Sequence, residues 1–186
     1  MSETPSKMLA LGTKAPDFKL LDTLSNTEVS LEEIKSNKGT VIIFICNHCP
    51  YVKLILKKII SVANEYQAKG FSFVAINSND TNKYPDDSPE NMRTMAINYK
   101  FNFPYLFDES QNIAKTYHAA CTPDFYLFDK NLLCVYRGRF DEATPGNNKP
   151  VTGNDLINAL NAIHENQQID QNQIPSVGCN IKWKPN

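Results

Sequence analysis

Val41-Ile-Ile-Phe-Ile-Cys46-Asn47-His48-Cys49-Pro50 passes from a run of apolar, largely β-branched residues into a short polar turn closed by proline. Such a run without polar alternation reads as a strand buried on both faces. Beyond Pro50, the residues Val52, Ile55, Leu56, Ile59, Ile60, Val62 and Ala63 recur at helical spacing, with Lys53, Lys57 and Lys58 on the other side. Proline at the first helical position and Gly70 past the end punctuate that helix. Phe71-Ser-Phe-Val-Ala-Ile76 follows as a second buried strand, so the segment is a β-α-β unit with a parallel strand pair.

Working toward the amino terminus, Ser30-Leu-Glu-Glu33 has the hydroxyl and carboxylate of a capping box, and Asp17 to Leu21 alternates as a short strand. Toward the carboxyl terminus, 77–87 is a polar loop at the carboxyl end of a strand, where open α/β sheets bind ligands. Its acidic residues Asp80, Asp86 and Asp87, with Glu90, read as a solvated, capping-rich surface. Ser88-Pro89 starts a helix, Phe103 to Phe107 is a strand, and Asp108 with Gln111 has the spacing that caps the helix containing Ile113, Ala114 and Tyr117. Asp124 to Phe128 and Leu132 to Arg137 are joined too tightly for a crossover and form an antiparallel hairpin. Thr152-Gly-Asn-Asp155 caps a last helix. The fold class is α/β, a central mixed sheet flanked by helices, with an amino-terminal extension and a carboxyl-terminal tail. Residues 1–164 form a single domain. The tail, 165–186, starts Asn/Gln-rich and weakly ordered, then regains apolar residues and the only tryptophan, and is expected to fold back on the domain.

A length of 186 residues suits one well-filled core. The net charge of -1 offers no basic field for nucleic acid or anionic lipid. The amino terminus lacks a secretory pattern and no apolar run is long enough to span a bilayer, so a cytoplasmic protein without membrane contact is expected. Five cysteines, Cys46, Cys49, Cys121, Cys134 and Cys179, are an odd number in a chain that needs no disulfide stapling.

Cys46-x-x-Cys49 stands where the strand gives way to the helix. Unpaired N–H groups and the partial positive charge of a helix amino terminus stabilise a thiolate there, and two thiols at this spacing close a small disulfide reversibly. A protonated His48 beside Cys49 favours the reduced form and makes the disulfide more oxidising. The catalytic candidates are therefore Cys46, Cys49 and His48. Cys134, inside an apolar strand, reads as inert core, and Cys179 as a possible resolving thiol or a packed one. No cofactor and no metal are expected, although His118 and Cys121 with the Cys46/Cys49 pair match a tetrahedral zinc set arithmetically.

Strand, C-x-x-C, helix, strand, helix, then Cys121-Thr122-Pro123 ahead of Asp124-Phe-Tyr-Leu-Phe-Asp129 resembles the thioredoxin fold, whose redox pair faces a cis-proline loop. The resemblance implies that Pro123 is that cis-proline and that Cys121 and Thr122 lie near the pair. Gly12-Thr-Lys-Ala-Pro-Asp-Phe18 resembles the opening of the peroxiredoxin-like branch, the AhpC/TSA- and TlpA-like redoxins. A closer resemblance, over nearly the whole chain, is to thioredoxin-family proteins marked by NHCPYV, INSND, YPDDSPENM, FPYLFDESQ, CTPDF, YRGR and GCNIKW, which begin here at Asn47, Ile76, Tyr84, Phe103, Cys121, Tyr136 and Gly178.

That resemblance implies a thiol-disulfide oxidoreductase acting on a protein or small-molecule disulfide, with an external thiol reductant. In the thioredoxin pattern Cys46 attacks and Cys49 resolves, and this order is the expectation adopted; the peroxiredoxin-like view instead makes Cys49 the attacking thiol. A peroxidase would reduce hydrogen peroxide or organic hydroperoxides through P-x-x-x-T-x-x-C and a separate arginine. Counting back from Cys49 finds Cys46 and Ile42 at the threonine and proline places, and from Cys46 finds Ile43 and Gly39. Pro123 falls about where the arginine belongs, leaving Arg137 or Arg139 as substitutes. A redox-inert or metal-holding binding module is the third alternative.

Overall fold

The computed structural model describes residues 3–185. Its strands are β1 (Glu3–Pro5), β2 (Lys19–Asp22), β3 (Thr27–Ser30), β4 (Gly39–Phe44), β5 (Ser72–Asn77), β6 (Tyr105–Phe107), β7 (Cys121–Thr122), β8 (Asp124–Asp129), β9 (Cys134–Gly138) and β10 (Val177–Asn180). The helices are α1 (Leu31–Ile34), α2 (Pro50–Ala68), α3 (Pro89–Asn98), α4 (Asn112–Thr116) and α5 (Asn154–His164), with a 3-10 turn at Pro85–Asp87. A seven-stranded mixed sheet runs in the order β3-β2-β6-β5-β4-β8-β9. β4, β5 and β6 are parallel neighbours, whereas β8 is antiparallel to both β4 and β9.

The run that reads as doubly buried is the middle of this sheet. Successive strand residues face opposite sides, so Val41 and Ile43 join the cluster under α2, while Ile42 and Phe44 join the one under Leu31 and Tyr117. All four are 0% exposed. Burying each contributes about 1.5–3 kcal/mol, which holds the end of β4, and thus Cys46, in a fixed place. Helix α2 starts with Pro50 at its first position and buries Val52, Ile55, Leu56, Ile59, Ile60, Val62 and Ala63, as the spacing predicts, and Tyr66 in addition.

The capping box at α1 is closed: Ser30 Oγ accepts the Glu33 N–H at 3.3 Å and the Ser30 N–H donates to Glu33 Oε2 at 2.7 Å. Ser30→Ala is expected to cost about 1 kcal/mol, read as a lower urea midpoint. Two other caps differ from expectation. At α4 the N-cap is Gln111, left-handed at φ 63 and without a side-chain cap bond; Asp108 Oδ2 instead reaches the Ala114 N–H at 2.9 Å. At α5 the N-cap is Gly153, and the carboxylate of Asp141 takes the Thr152 and Gly153 N–H groups, each at 2.6 Å.

The carboxyl-terminal segment is woven into the domain. Residues 165–176 hold no helix or strand, yet they are not loose: Gln173 accepts from the Arg137 N–H at 3.0 Å and from Nη1 at 2.8 Å, and donates to Val135 O at 3.0 Å. Strand β10 then lies between β1 and β7 in a separate antiparallel three-stranded sheet. Ile181 is buried and its N–H donates to Ala120 O at 3.0 Å. Trp183, the residue whose apolarity argued for a folded tail, is 40% exposed; the buried hydrophobic residues there are Cys179 and Ile181.

Gly178 shows how tightly β10 is pressed against β7. A Cβ built there would stand 2.0 Å from Thr122 O and 2.7 Å from its carbonyl carbon, both backbone atoms. Gly178→Ala is expected to push β10 off β7 and to cost about 1–3 kcal/mol by overpacking, measured as a lowered urea midpoint. Among the described residues no helix is long and apolar enough to cross a membrane.

Candidate active site

Cys46 follows the end of β4, and Cys49 is the N-cap residue of α2, without a side-chain capping bond. The Thr122-Pro123 peptide bond is cis, and the loop it forms faces the two cysteines. Thr122 Oγ1 stands 3.4 Å from Cys46 Sγ, and Thr122 O stands 3.2 Å from Cys49 Sγ. The third sulfur present is that of Cys179 on β10, 3.0 Å from Cys49 Sγ. Among the described residues no two sulfurs lie at disulfide distance. Cys46, Cys49 and Cys179 are 1%, 0% and 2% exposed, so β10 and the cis-proline loop close over the site.

The three sulfurs do not hold their protons equally. The Cys46 thiol, hydrogen-bonded to Cys49, is the largest influence holding Cys49 down to about 5, against the upward push of burial. The Cys179 thiol, the Val52 amide in the first turn of α2 and the Cys179 backbone add to it. Thr122 O, 3.2 Å away, accepts from the thiol form of Cys49. Cys46 is correspondingly pushed well up, first by its bond to Cys49 and then by burial. Cys179 is pushed up to about 12 by burial and by the same sulfur.

His48 is placed beside the pair. Its Nδ1 lies 2.6 Å from Asp87 Oδ2, and its ring stacks on Tyr84 with centroids 5.4 Å apart. The Asp87 hydrogen bond raises its pKa, against burial. Asp87 corrects the expectation of a solvated acidic loop, being 0% exposed with four donors on its carboxylate. Besides His48 these are the Asn47 N–H at 2.6 Å, Asn77 Nδ2 at 3.2 Å and Asn79 Nδ2 at 2.8 Å. Burial works to raise the Asp87 pKa, but His48, Asn79 and Asn47 outweigh it, and the net shift is downward. The local signal for this role was the alternation of asparagines in INSND, amides able to satisfy a buried carboxylate. Asp80, likewise expected on the surface, is 2% exposed, and its N–H donates to Lys182 O at 2.8 Å.

The remaining candidates separate. Cys121 Sγ lies 3.9 Å from Pro123 O, and burial pushes its thiol far up. Cys134 sits in the core, pushed up to about 12 by burial, as an inert thiol would be. His118 is exposed, so the zinc set drawn from His118, Cys121 and the pair is not assembled. The side chains within metal-ligand reach, among the described residues, are Cys46, His48 and Asp87. Their hydrogen bonds already commit both Asp87 oxygens and His48 Nδ1.

Each of the three arginines has a bonding partner other than the cysteines. Arg137 Nε donates to Leu9 O at 2.8 Å, Arg139 pairs with Asp155 at 2.5 Å, and Arg93 donates to Leu24 O at 3.1 Å. An open groove of about 320 Å³ is lined by Asn47 and His48 together with Lys53, Asp86 and Tyr99.

Residues 11–137 match the model of the AhpC/TSA family. A crystal structure of an uncharacterized conserved protein from Geobacillus kaustophilus is 52% identical, with a TM-score of 0.99 over 100% of this chain and 98% of that one. A hypothetical protein from Sinorhizobium meliloti 1021 is 43% identical, with a TM-score of 0.95 over 98% of this chain and 100% of that one. A secreted Mycobacterium tuberculosis disulfide oxidoreductase homologous to E. coli DsbE shares the fold at 18% identity, with a TM-score of 0.59 over 78% of this chain and 95% of that one. The comparison with curated proteins gave no match. The fold is thioredoxin-like.

Proposed function

Because this chain belongs to the AhpC/TSA family and is a redoxin of the thioredoxin superfamily, we propose that it is a thiol-disulfide oxidoreductase cycling Cys46 and Cys49 between dithiol and disulfide. The observation that carries this reading is the Cys49 sulfur at the start of α2, facing with Cys46 the same cis-proline loop, where Thr122 contacts both sulfurs. Cys49 is the resting thiolate and Cys46 the thiol that holds the proton, the reverse of the order the thioredoxin pattern implies.

In the forward half-reaction the Cys49 thiolate attacks one sulfur of a disulfide, forms a mixed disulfide and expels the other sulfur as a thiolate. Cys46 then attacks Cys49, releases the substrate thiol and leaves the Cys46–Cys49 disulfide, which an external thiol reductant opens. Thr122 Oγ1, 3.4 Å from Cys46 Sγ, is placed to hydrogen-bond to that sulfur as it becomes the attacking thiolate. His48, held by Asp87, supplies positive charge beside the pair. A reducing cytoplasm is the compartment that suits such a cycle.

The test is reduction of insulin disulfides with dithiothreitol as the electron source, together with mass mapping of the oxidised protein. Turnover and a Cys46–Cys49 bond are expected; a protein that neither turns over nor forms that bond would refute the assignment. A thiol peroxidase is the second reading, favoured by the lowered pKa of Cys49 and by the family match. Stopped-flow oxidation by hydrogen peroxide separates the two, since a rate no faster than that of free cysteine removes the peroxidase.

A further inference from the structure

β10 brings a third thiol into the same site from the other end of the chain. It pairs antiparallel with β7, Cys179 opposite Thr122 and Asn180 opposite Cys121. This edge belongs to the loop whose Thr122 already contacts both Cys46 and Cys49. On its far side β10 is held by β1, with Glu3 opposite Cys179. The lack of a side chain at Gly178 lets the strand sink until a Cβ would meet Thr122 O at 2.0 Å. The outcome is a sulfur 3.0 Å from Cys49 Sγ, about 1 Å beyond a disulfide bond, delivered on a paired strand rather than a mobile loop.

We propose that Cys179 is a third redox thiol, which accepts the disulfide from Cys46–Cys49 to give Cys49–Cys179 and so fastens β10 covalently across the active site. The proposal rests on the dithiol reading above. The exchange needs no outside oxidant or reductant. Cys179, as thiolate, attacks Cys49 Sγ of the Cys46–Cys49 disulfide; the Cys49–Cys179 bond forms, the Cys46–Cys49 bond breaks, and Cys46 leaves as a thiolate that takes up the proton Cys179 lost. One disulfide and one thiol exist before and after the step. In the Cys49–Cys179 form the site is closed to further substrate until a reductant opens it, while Cys46 is returned to the thiol state.

The experiment uses full-length protein carrying Cys46→Ser, oxidised with diamide, which takes two electrons and two protons from a pair of thiols and becomes a hydrazine. Peptide mass mapping is expected to show a Cys49–Cys179 bond in this variant, and a mixture of Cys46–Cys49 and Cys49–Cys179 in the wild type. Adding Cys179→Ser to the variant is expected to slow loss of the Cys49 thiol by at least about tenfold, because the neighbouring thiol acts at a high effective concentration. Cys46→Ala repeats the measurement should serine unfold this buried position, with circular dichroism as the check. A wild type that forms Cys46–Cys49 while both Cys46 variants form no Cys49–Cys179 bond overturns the proposal and leaves the dithiol reading standing. A wild type in which Cys49 joins no disulfide overturns both.

Discussion

Cys49→Ser is expected to abolish disulfide reduction, lowering turnover by at least about a thousandfold, as removal of a covalent nucleophile does. Cys46→Ser is expected to fail differently. It keeps the Cys49 sulfur but loses the thiol that most lowers its pKa, and with Cys179→Ser added, so that no neighbouring thiol resolves the adduct, it accumulates a mixed disulfide with substrate while losing most of its turnover. The variants therefore separate the roles: a trapped substrate on Cys49 in Cys46→Ser with Cys179→Ser fits the order argued here, whereas a trapped substrate on Cys46 in Cys49→Ser reverses it. The physical basis is asymmetric support around two equally buried sulfurs. Cys49 has two thiols and the first turn of α2 directed at it, while Cys46 has the Asp87 charge, which raises its pKa further.

Asp87→Ala is expected to be the most destabilising of the substitutions at this site, by about 3–5 kcal/mol, because it removes the charge partner from a buried pair and strands its donors. Asp87→Asn keeps the shape and is expected to cost less. The loss should depend on pH. His48 has its folded pKa raised by Asp87, so its contribution is complete below the unfolded value near 6.5 and is lost as pH rises through the folded pKa. Asp87 has its folded pKa lowered, so its contribution is present above the unfolded value near 3.9 and is lost as pH falls through the folded one. The difference in urea midpoint between wild type and Asp87→Ala is therefore expected to be greatest between about pH 4 and 6.5. A difference constant across that range and above it would show that the His48–Asp87 pair does not titrate as a unit.

The β4-α2-β5 core was legible because its signals are local: an unbroken apolar run, a helical period and a proline at the junction. The cis Thr122-Pro123 bond was legible only through the family resemblance, since nothing in the dipeptide itself requires it. Asp87 was not legible. In a run of Asp, Asn and Pro it looks wet, and its burial depends on the amides of Asn77 and Asn79, ten and eight residues earlier, bonding its carboxylate. Strand β10 was hidden for a similar reason. Four residues with a glycine carry no period, and its partners β1 and β7 come from distant parts of the chain. The tryptophan of that tail segment is 40% exposed, and the hydrophobic residues the segment buries are Ile181 and Cys179.

The placement of the charge on Cys49 is tested most directly by the ultraviolet absorbance of the thiolate, followed as a function of pH in the reduced protein. The wild type is expected to show one thiolate forming near pH 5, at the value to which Cys49 is lowered, and to lose that step in Cys49→Ser while keeping it in a Cys121→Ser control. A first thiolate that forms only near pH 8.5, where an unperturbed cysteine titrates, or a low-pH step that survives in Cys49→Ser, would contradict it.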